Sequence, residues 1–236
     1  MNKKTLIFAI LFIISGFFYY NFTGSVVKET YEAKIIRVVD GDTIELDNGQ
    51  KVRLRGINTP EKSMSFYKDA TNFLEELILN ETVEVKSYGV DKYGRTLAHV
   101  FFNDENINEL VIKNGFGTLY YYEEDEYYNN LKNAEEFARL NGAGIWKKSL
   151  NYGCLELIML KYEEEPKRCS NDEILEIKNL CDKNIEFIIK DDATHIYKEK
   201  LGANSILEKN FSCIWNDDGD SIYAWDKEGL LMFYRY

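Results

Sequence analysis

From residue 33 to residue 57 the chain alternates apolar and polar side chains in three short runs, and turn signals separate them. AKIIRVV runs into Asp40-Gly41-Asp42, TIEL runs into Asp47-Asn48-Gly49, and a third alternating run covers residues 51–57. A period of two marks strands with one buried face, and Asp-Gly and Asn-Gly mark tight turns between antiparallel neighbours. The stretch is therefore a three-stranded meander.

The pattern then changes period. Ala70, Phe73, Leu74, Leu77 and Ile78 fall on one face of a helix. Two further strands, 82–88 and 95–102, are joined by GVDKYG. A short helix over 106–113 stops at Gly115, and a third helix near 127–140 ends at Asn141-Gly142. Five strands with a helix between the third and the fourth predict a β-rich α+β fold, an OB-fold five-stranded barrel with three helices. Residues 150–180 are polar and read as a helical or irregular junction. From Cys181 the short runs IEFIIK, THIYK, FSCIW, SIYAW and LLMFYRY predict a small C-terminal antiparallel β unit over 181–236.

The N-terminus, MNKKTLIFAILFIISGFFYY, places Lys3 and Lys4 before an apolar run. A basic start followed by an apolar stretch is the pattern of an export signal. With no small-residue cleavage box after it, residues 1–27 are expected to act as a signal peptide or membrane anchor, which puts the rest of the chain outside the cytoplasm. Cys154, Cys169, Cys181 and Cys213 contain no C-x-x-C pair, which argues against zinc. Outside the cytoplasm they allow up to two disulfides, in any of three pairings.

The chain has 29 Lys+Arg against 40 Asp+Glu, a net charge of −11. That balance excludes a tight, non-specific polyanion binder, so a polyanion would need a local pocket with metal help. Asp40 and Asp42 lie two apart across a glycine, which turns both carboxylates to one side in an extended chain and suits a hard cation. The same tripeptide is also a common solvated hairpin turn. Arg53 shares a strand face with Arg55, and a guanidinium is a planar fork suited to phosphate oxygens.

In order and spacing, VVDGDTI, VRLRGINTPE, DKYGRTLAHVF, ELVIKNGFG and AEEFARLNGAGIW resemble the staphylococcal nuclease (thermonuclease) family over about half the chain. The resemblance implies Ca²⁺-dependent hydrolysis of DNA and RNA to 3′-phosphate ends, with unpaired strands preferred. By the same match Asp42 is the main metal carboxylate and Asp40 the supporting acid. Thr59 supplies a backbone carbonyl to the metal. Glu61 prepares the attacking water, and Arg53 and Arg95 clamp the phosphate. Tyr93 and Tyr121, with Lys92, are expected to contact nucleotides. Asn58 stands where the family usually has a second metal carboxylate; its amide oxygen can ligate Ca²⁺ without adding charge.

His99 reads as a packed strand residue, His195 as a surface residue of the β unit, and YYYEEDEYY (120–128) as an exposed loop at the pocket edge. WNDDGDSIYAWDKEGLL (215–231) resembles the last hairpin of lamin-tail-like β domains, which implies an interaction or attachment role. Asp217, Asp218 and Asp220 there read as a solvated turn sooner than as a cation site. The expected function is an exported, tethered nuclease with no obligate protein partner. Two alternatives are a binding-only relative with a weak metal site and a cell-surface adhesive or structural protein whose active part is the β unit.

Overall fold

A computed structural model of the chain describes residues 27, 29–121, 123–162, 173–212, 214–216 and 219–236. The expected signal or anchor except Val27, and Cys169, Cys213, Asp217 and Asp218, lie outside the described residues. None of the described helices is long and apolar enough to cross a membrane.

The barrel is made of β1 (Glu29–Asp40), β2 (Thr43–Leu46), β3 (Lys51–Leu54), β5 (Thr82–Val90) and β6 (Thr96–Phe102), with the two-residue strand β4 (Ile57–Asn58) after β3. Neighbours pair antiparallel in the order β3-β2-β1-β5-β6, and a parallel β3–β6 pairing closes the ring. The alternation read from the sequence fills it: Ile35, Ile44, Leu46, Val52, Leu54, Val83, Val85, Ala98 and Val100 are all at most 1% exposed. Helix α1 (Tyr67–Ile78) caps this core with Ala70, Leu74 and Ile78. A two-residue strand β7 (Glu105–Asn106) leads into α2 (Ile107–Lys113), where the Asn106 side chain accepts from the N–H groups of Asn108 and Glu109. The short β8 (Thr118–Leu119) pairs with β4, and α3 (Tyr128–Asn141) ends at Gly142 in the left-handed conformation.

The second unit holds two antiparallel sheets. One, in the order β13-β10-β9, comprises β9 (Leu155–Lys161), β10 (Glu173–Asn179) and β13 (Ile206–Phe211). The other, in the order β12-β11-β14-β15, comprises β11 (Ile185–Lys190), β12 (Ile196–Leu201), β14 (Ser221–Trp225) and β15 (Leu230–Arg235). Leu155, Leu175, Ile177, Ile185, Phe187, Ile189, Phe211 and Ile222 form its core. The stretch 150–180 is thus not a helical or irregular junction. It carries two strands, and β10 hides its alternation because the inward positions begin with a buried Glu173, whose carboxylate accepts from Ile214 N–H. Of the three possible cysteine pairings the structure holds Cys154–Cys181, with Cα atoms 5.3 Å apart, tying the start of β9 to the turn after β10.

The two units share a third core. Ala138, Ile145 and Trp146 pack with Tyr223, Trp225 and Leu230, and the Trp225 indole N–H donates to the Ile145 carbonyl at 2.8 Å. A β-bridge joins Lys148 to Leu230. Gly229 is needed beside it, since a Cβ there would stand 2.3 Å from the Lys147 carbonyl oxygen.

Candidate active site

The closure of the barrel places the site. Thr43 at the start of β2 pairs with Arg53 in β3, and Arg53 pairs across the parallel closure with Leu97, two residues after Arg95. The Asp40-Gly41-Asp42 turn, the Arg53 side chain and Arg95 therefore converge on one barrel rim. A cavity of about 200 Å³ opens there, lined by Asp40, Asp42, Arg53, Asn58, Thr59, Glu61 and Arg95, with Pro60, Tyr67 and Thr194. Gly41 keeps the turn close to the rim, because a Cβ at that position would meet Thr59 Oγ1 at 2.9 Å and Ala70 Cβ at 2.7 Å.

Asp42 is the most constrained acid. Its Oδ2 accepts from the Thr59 N–H at 3.1 Å and from Thr59 Oγ1 at 3.0 Å, and its Oδ1 accepts from Thr43 Oγ1 and lies 2.5 Å from Arg53 Nη1. Burial alone would raise its carboxyl, but the Arg53 charge and the Thr59 hydrogen bonds outweigh burial and hold it below the usual carboxylate range. Arg53 is shifted further up by the same partner, against its own burial. Asp40 moves the other way, pushed up to about 6 by burial first and then by the Asp42 charge.

Two carboxylates repelling each other in one cavity are a donor set of the kind a hard divalent cation takes, with both Asp42 oxygens already engaged by Thr59, Thr43 and Arg53. Such ions take oxygen ligands, and the smaller ones keep several waters, so two carboxylates and a backbone carbonyl are sufficient protein ligands. Among the described residues no group of three or more His, Cys, Asp or Glu side chains is placed to hold a metal ion. Asn58 does not add to the donor set in this arrangement. Its Oδ1 accepts from Arg53 Nη2 at 3.3 Å, and its Nδ2 donates to the Asp192 and Ala193 carbonyls at 2.9 and 2.7 Å.

Arg95 ion-pairs with Asp91 at 2.7 Å and reaches Thr43 Oγ1 at 3.5 Å, and about a quarter of its side chain stays exposed. Glu61 lines the cavity, its side chain makes no hydrogen bond to a described residue, and its charge acts on the buried Lys190 ammonium. Tyr93 is 71% exposed at the rim, its ring centroid 5.4 Å from the Arg95 guanidinium and 5.1 Å from Lys92 Nζ. Tyr121 is not in this cavity. It lines a neighbouring cavity of about 660 Å³ with Tyr120, Lys132, His195 and Arg235, and its hydroxyl donates to Asp125 Oδ1 at 2.9 Å.

Arg55 also leaves the site. The regular strand ends at Leu54, and Arg55 turns to Asp125 Oδ2 at 2.8 Å and the Glu123 carbonyl at 2.6 Å. Asp125 therefore departs from the expected exposed loop: its side chain is fully buried between Arg55 and His99. His99 is a packed strand residue as expected, wholly buried on β6. His195 is half-exposed and pairs with Asp191. Sequence reasoning missed Tyr67 and Thr194 in the cavity lining. Thr194 sits between β11 and β12, and no local pattern links it to a site whose other residues, Asp40 to Arg95, lie far upstream in the chain.

The sequence profile described as "Staphylococcal nuclease homologue" matches residues 51–148. A "Thermonuclease" of Staphylococcus intermedius is 34% identical over 168 residues, covering 63% of this chain and 100% of that protein. An "Uncharacterized endonuclease" of Haemophilus influenzae is 32% identical over 151 residues, covering 62% of this chain and 80% of that protein. A "Thermonuclease" of Staphylococcus hyicus is 33% identical over 131 residues, covering 50% of this chain and 76% of that protein. With the barrel and the rim cavity in place, these matches decide the family: the chain belongs to the staphylococcal nuclease family and is a nuclease, an enzyme that hydrolyses phosphodiester bonds.

Proposed function

We propose that this chain is a Ca²⁺-dependent nuclease that cuts unpaired DNA and RNA to 3′-phosphate ends, outside the cytoplasm and tethered by residues 1–27. The observation that carries the reading is the single cavity shared by Asp40, Asp42, Arg53, Glu61 and Arg95. A phosphodiester is anionic and gathers further charge as water attacks, so the groups that face it must supply positive charge and a proton acceptor.

Arg53 is held by Asp42, Asn58 and the Ile57 carbonyl, so its guanidinium is fixed before substrate arrives. Fixed donors aimed at developing charge cost no reorganisation during the reaction. Arg95, held less tightly by Asp91, turns to the phosphate from the opposite strand of the closure. Glu61 has no competing hydrogen bond among the described residues, which leaves its carboxylate free to orient a water and take its proton. Asp40, Asp42 and the Thr59 carbonyl would hold the cation, which when bound supplies Lewis-acid neutralisation of the phosphate oxygens. The acidic surface is compatible with this, because the charge that matters is local.

The engaged Asn58 amide favours one second reading, a binding-only relative whose metal site is too weak for turnover. Digestion of single-stranded DNA by the purified chain, with Ca²⁺ and with chelator, separates the two. Metal-dependent cleavage that Glu61→Gln and Arg95→Ala abolish supports the enzyme, and end analysis reads the 3′-phosphate. DNA retention without cleavage supports the second reading. Recovery of the full-length native protein from the soluble cell fraction contradicts tethering.

A further inference from the structure

The nuclease cavity has a wall that the matched family region, residues 51–148, does not contain. Thr194, in the connection between β11 and β12 of the second unit, lines the same cavity as Arg53, Glu61 and Arg95. Thr194 is exposed, and its hydroxyl makes no hydrogen bond to a described residue. The segment that carries it is firmly held. Asn58 Nδ2 donates to the carbonyls of Asp192 and Ala193. Lys190, 4% exposed, turns its ammonium inward to the carbonyls of Asp191 and Ala193. Asp192 accepts from Tyr223 Oη at 2.6 Å and from Ser221 Oγ at 3.0 Å.

We infer that the second unit supplies part of the substrate-binding site, with Thr194 contacting the nucleic-acid strand beside the scissile phosphate and Asn58 acting as the positioning residue that docks this wall. The inference rests on the reading of the cavity as a phosphodiesterase site. It also accounts for the amide at position 58. A carboxylate there would set its oxygens against two carbonyl oxygens now 2.9 and 2.7 Å from the amide nitrogen, with no hydrogen to share. A neutral donor on a rigid segment is a usual partner for a phosphate oxygen, since Ser and Thr hydroxyls make many of the sugar–phosphate contacts in nucleic-acid complexes. Beyond the wall the neighbouring cavity sets Glu123, Glu124, Asp191, Asp192 and Asp220 against Lys132 and Arg235, an excess of negative charge that disfavours a polyanion and so favours the Thr194 side.

The test uses the full chain with the Thr194→Ala, Thr194→Ser and Asn58→Asp substitutions. KM and kcat are measured on a single-stranded oligonucleotide, the affinity for the same labelled oligonucleotide is measured by anisotropy with chelator present, and melting is followed as a control. Thr194→Ala is expected to raise KM and weaken binding about 3- to 10-fold, the size of one hydrogen bond, with kcat within about 2-fold and melting unchanged. Thr194→Ser restores both. Asn58→Asp, which undocks the wall, is expected to weaken binding by more than Thr194→Ala. Wild-type kinetics and affinity in Thr194→Ala overturn the inference. If the wild type binds without cleaving, the nuclease reading fails while the anisotropy series still decides the role of Thr194; a wild type that does not bind overturns both.

Discussion

Arg53 Nη1 lies 2.5 Å from Asp42 Oδ1, and each side chain is little more than a tenth exposed or less. The pair therefore has a structural role beside the catalytic one proposed for it. Removing one member of a buried ion pair leaves an uncompensated charge and costs about 3–5 kcal/mol. Arg53→Ala is expected to lose activity and to lower Tm by about 6–20 °C, at about 2–4 °C per kcal/mol for a chain of this size. Adding Asp42→Asn removes the orphaned charge, so the double variant should recover much of the Tm and none of the activity. Scanning calorimetry with an oligonucleotide assay reads both; a single variant that melts like wild type would show the pair to be solvated.

Arg95 and Glu61 should behave differently. Arg95 is partly exposed, and its ion-pair partner among the described residues, Asp91, lies in a surface turn. The Glu61 side chain makes no hydrogen bond to a described residue, and its carbonyl accepts from the Met64 N–H at 2.7 Å. Arg95→Ala is expected to lower kcat about 10²- to 10³-fold, and Glu61→Gln about 10²- to 10⁴-fold, with Tm within about 2 °C of wild type in each. Kinetics beside thermal melts check this, and a large Tm loss in either variant would reassign it to a structural role.

The buried Arg55–Asp125–His99 cluster makes a prediction about acid stability. Burial would raise the Asp125 carboxyl, but the His99 and Arg55 contacts and the Tyr127 N–H hold it down to about 2. Its folded pKa is thus below its unfolded value, so its contribution is complete above about pH 4 and is lost as pH falls towards 2. Asp125→Asn removes that contribution at neutral pH, and the stabilities of variant and wild type should converge between pH 4 and 2. Urea titrations across that range measure it; a constant difference down to pH 2 contradicts the assignment. His99 adds no charge of its own at neutral pH, because burial depresses its pKa.

Much of this was legible in the sequence where the determinant is local. Alternation from residue 33 to 57 and the i, i+3, i+4 spacing at Ala70 to Ile78 both report a buried face, and both appear in the structure as the barrel wall and α1. Arg53, Glu61 and Arg95 are separated by few elements and converge through a register that the barrel closure sets. What was hidden is long-range pairing. Arg55 alternates with Arg53, yet its partner is 70 residues away. Asn58 reads as a weakened ligand until its two carbonyl acceptors, 134 and 135 residues downstream, come into view. The β9 and β10 strands were obscured because β9 carries exposed Ile158 and Met159 on an edge and β10 buries a glutamate.

Glu135 on α3 is 3% exposed, accepts from the Leu119 N–H at 2.8 Å, and pairs with Arg235 at the end of β15. Arg235 also donates to Ser221 Oγ at 2.6 Å and to Tyr223 Oη at 3.0 Å, so one guanidinium joins the barrel to the second unit. Together with the shared core around Trp146 and Trp225, this predicts that the two units unfold as one cooperative structure. Arg235→Met strands a buried carboxylate and is expected to cost about 3–5 kcal/mol, most of it recovered in Glu135→Gln/Arg235→Met. Tryptophan fluorescence, circular dichroism and residual nuclease activity should then fall together along one denaturant transition, because two-state unfolding makes different probes coincide. Activity that survives a separate, earlier unfolding of the second unit would mean that the barrel stands alone, and would also remove the wall on which Thr194 sits.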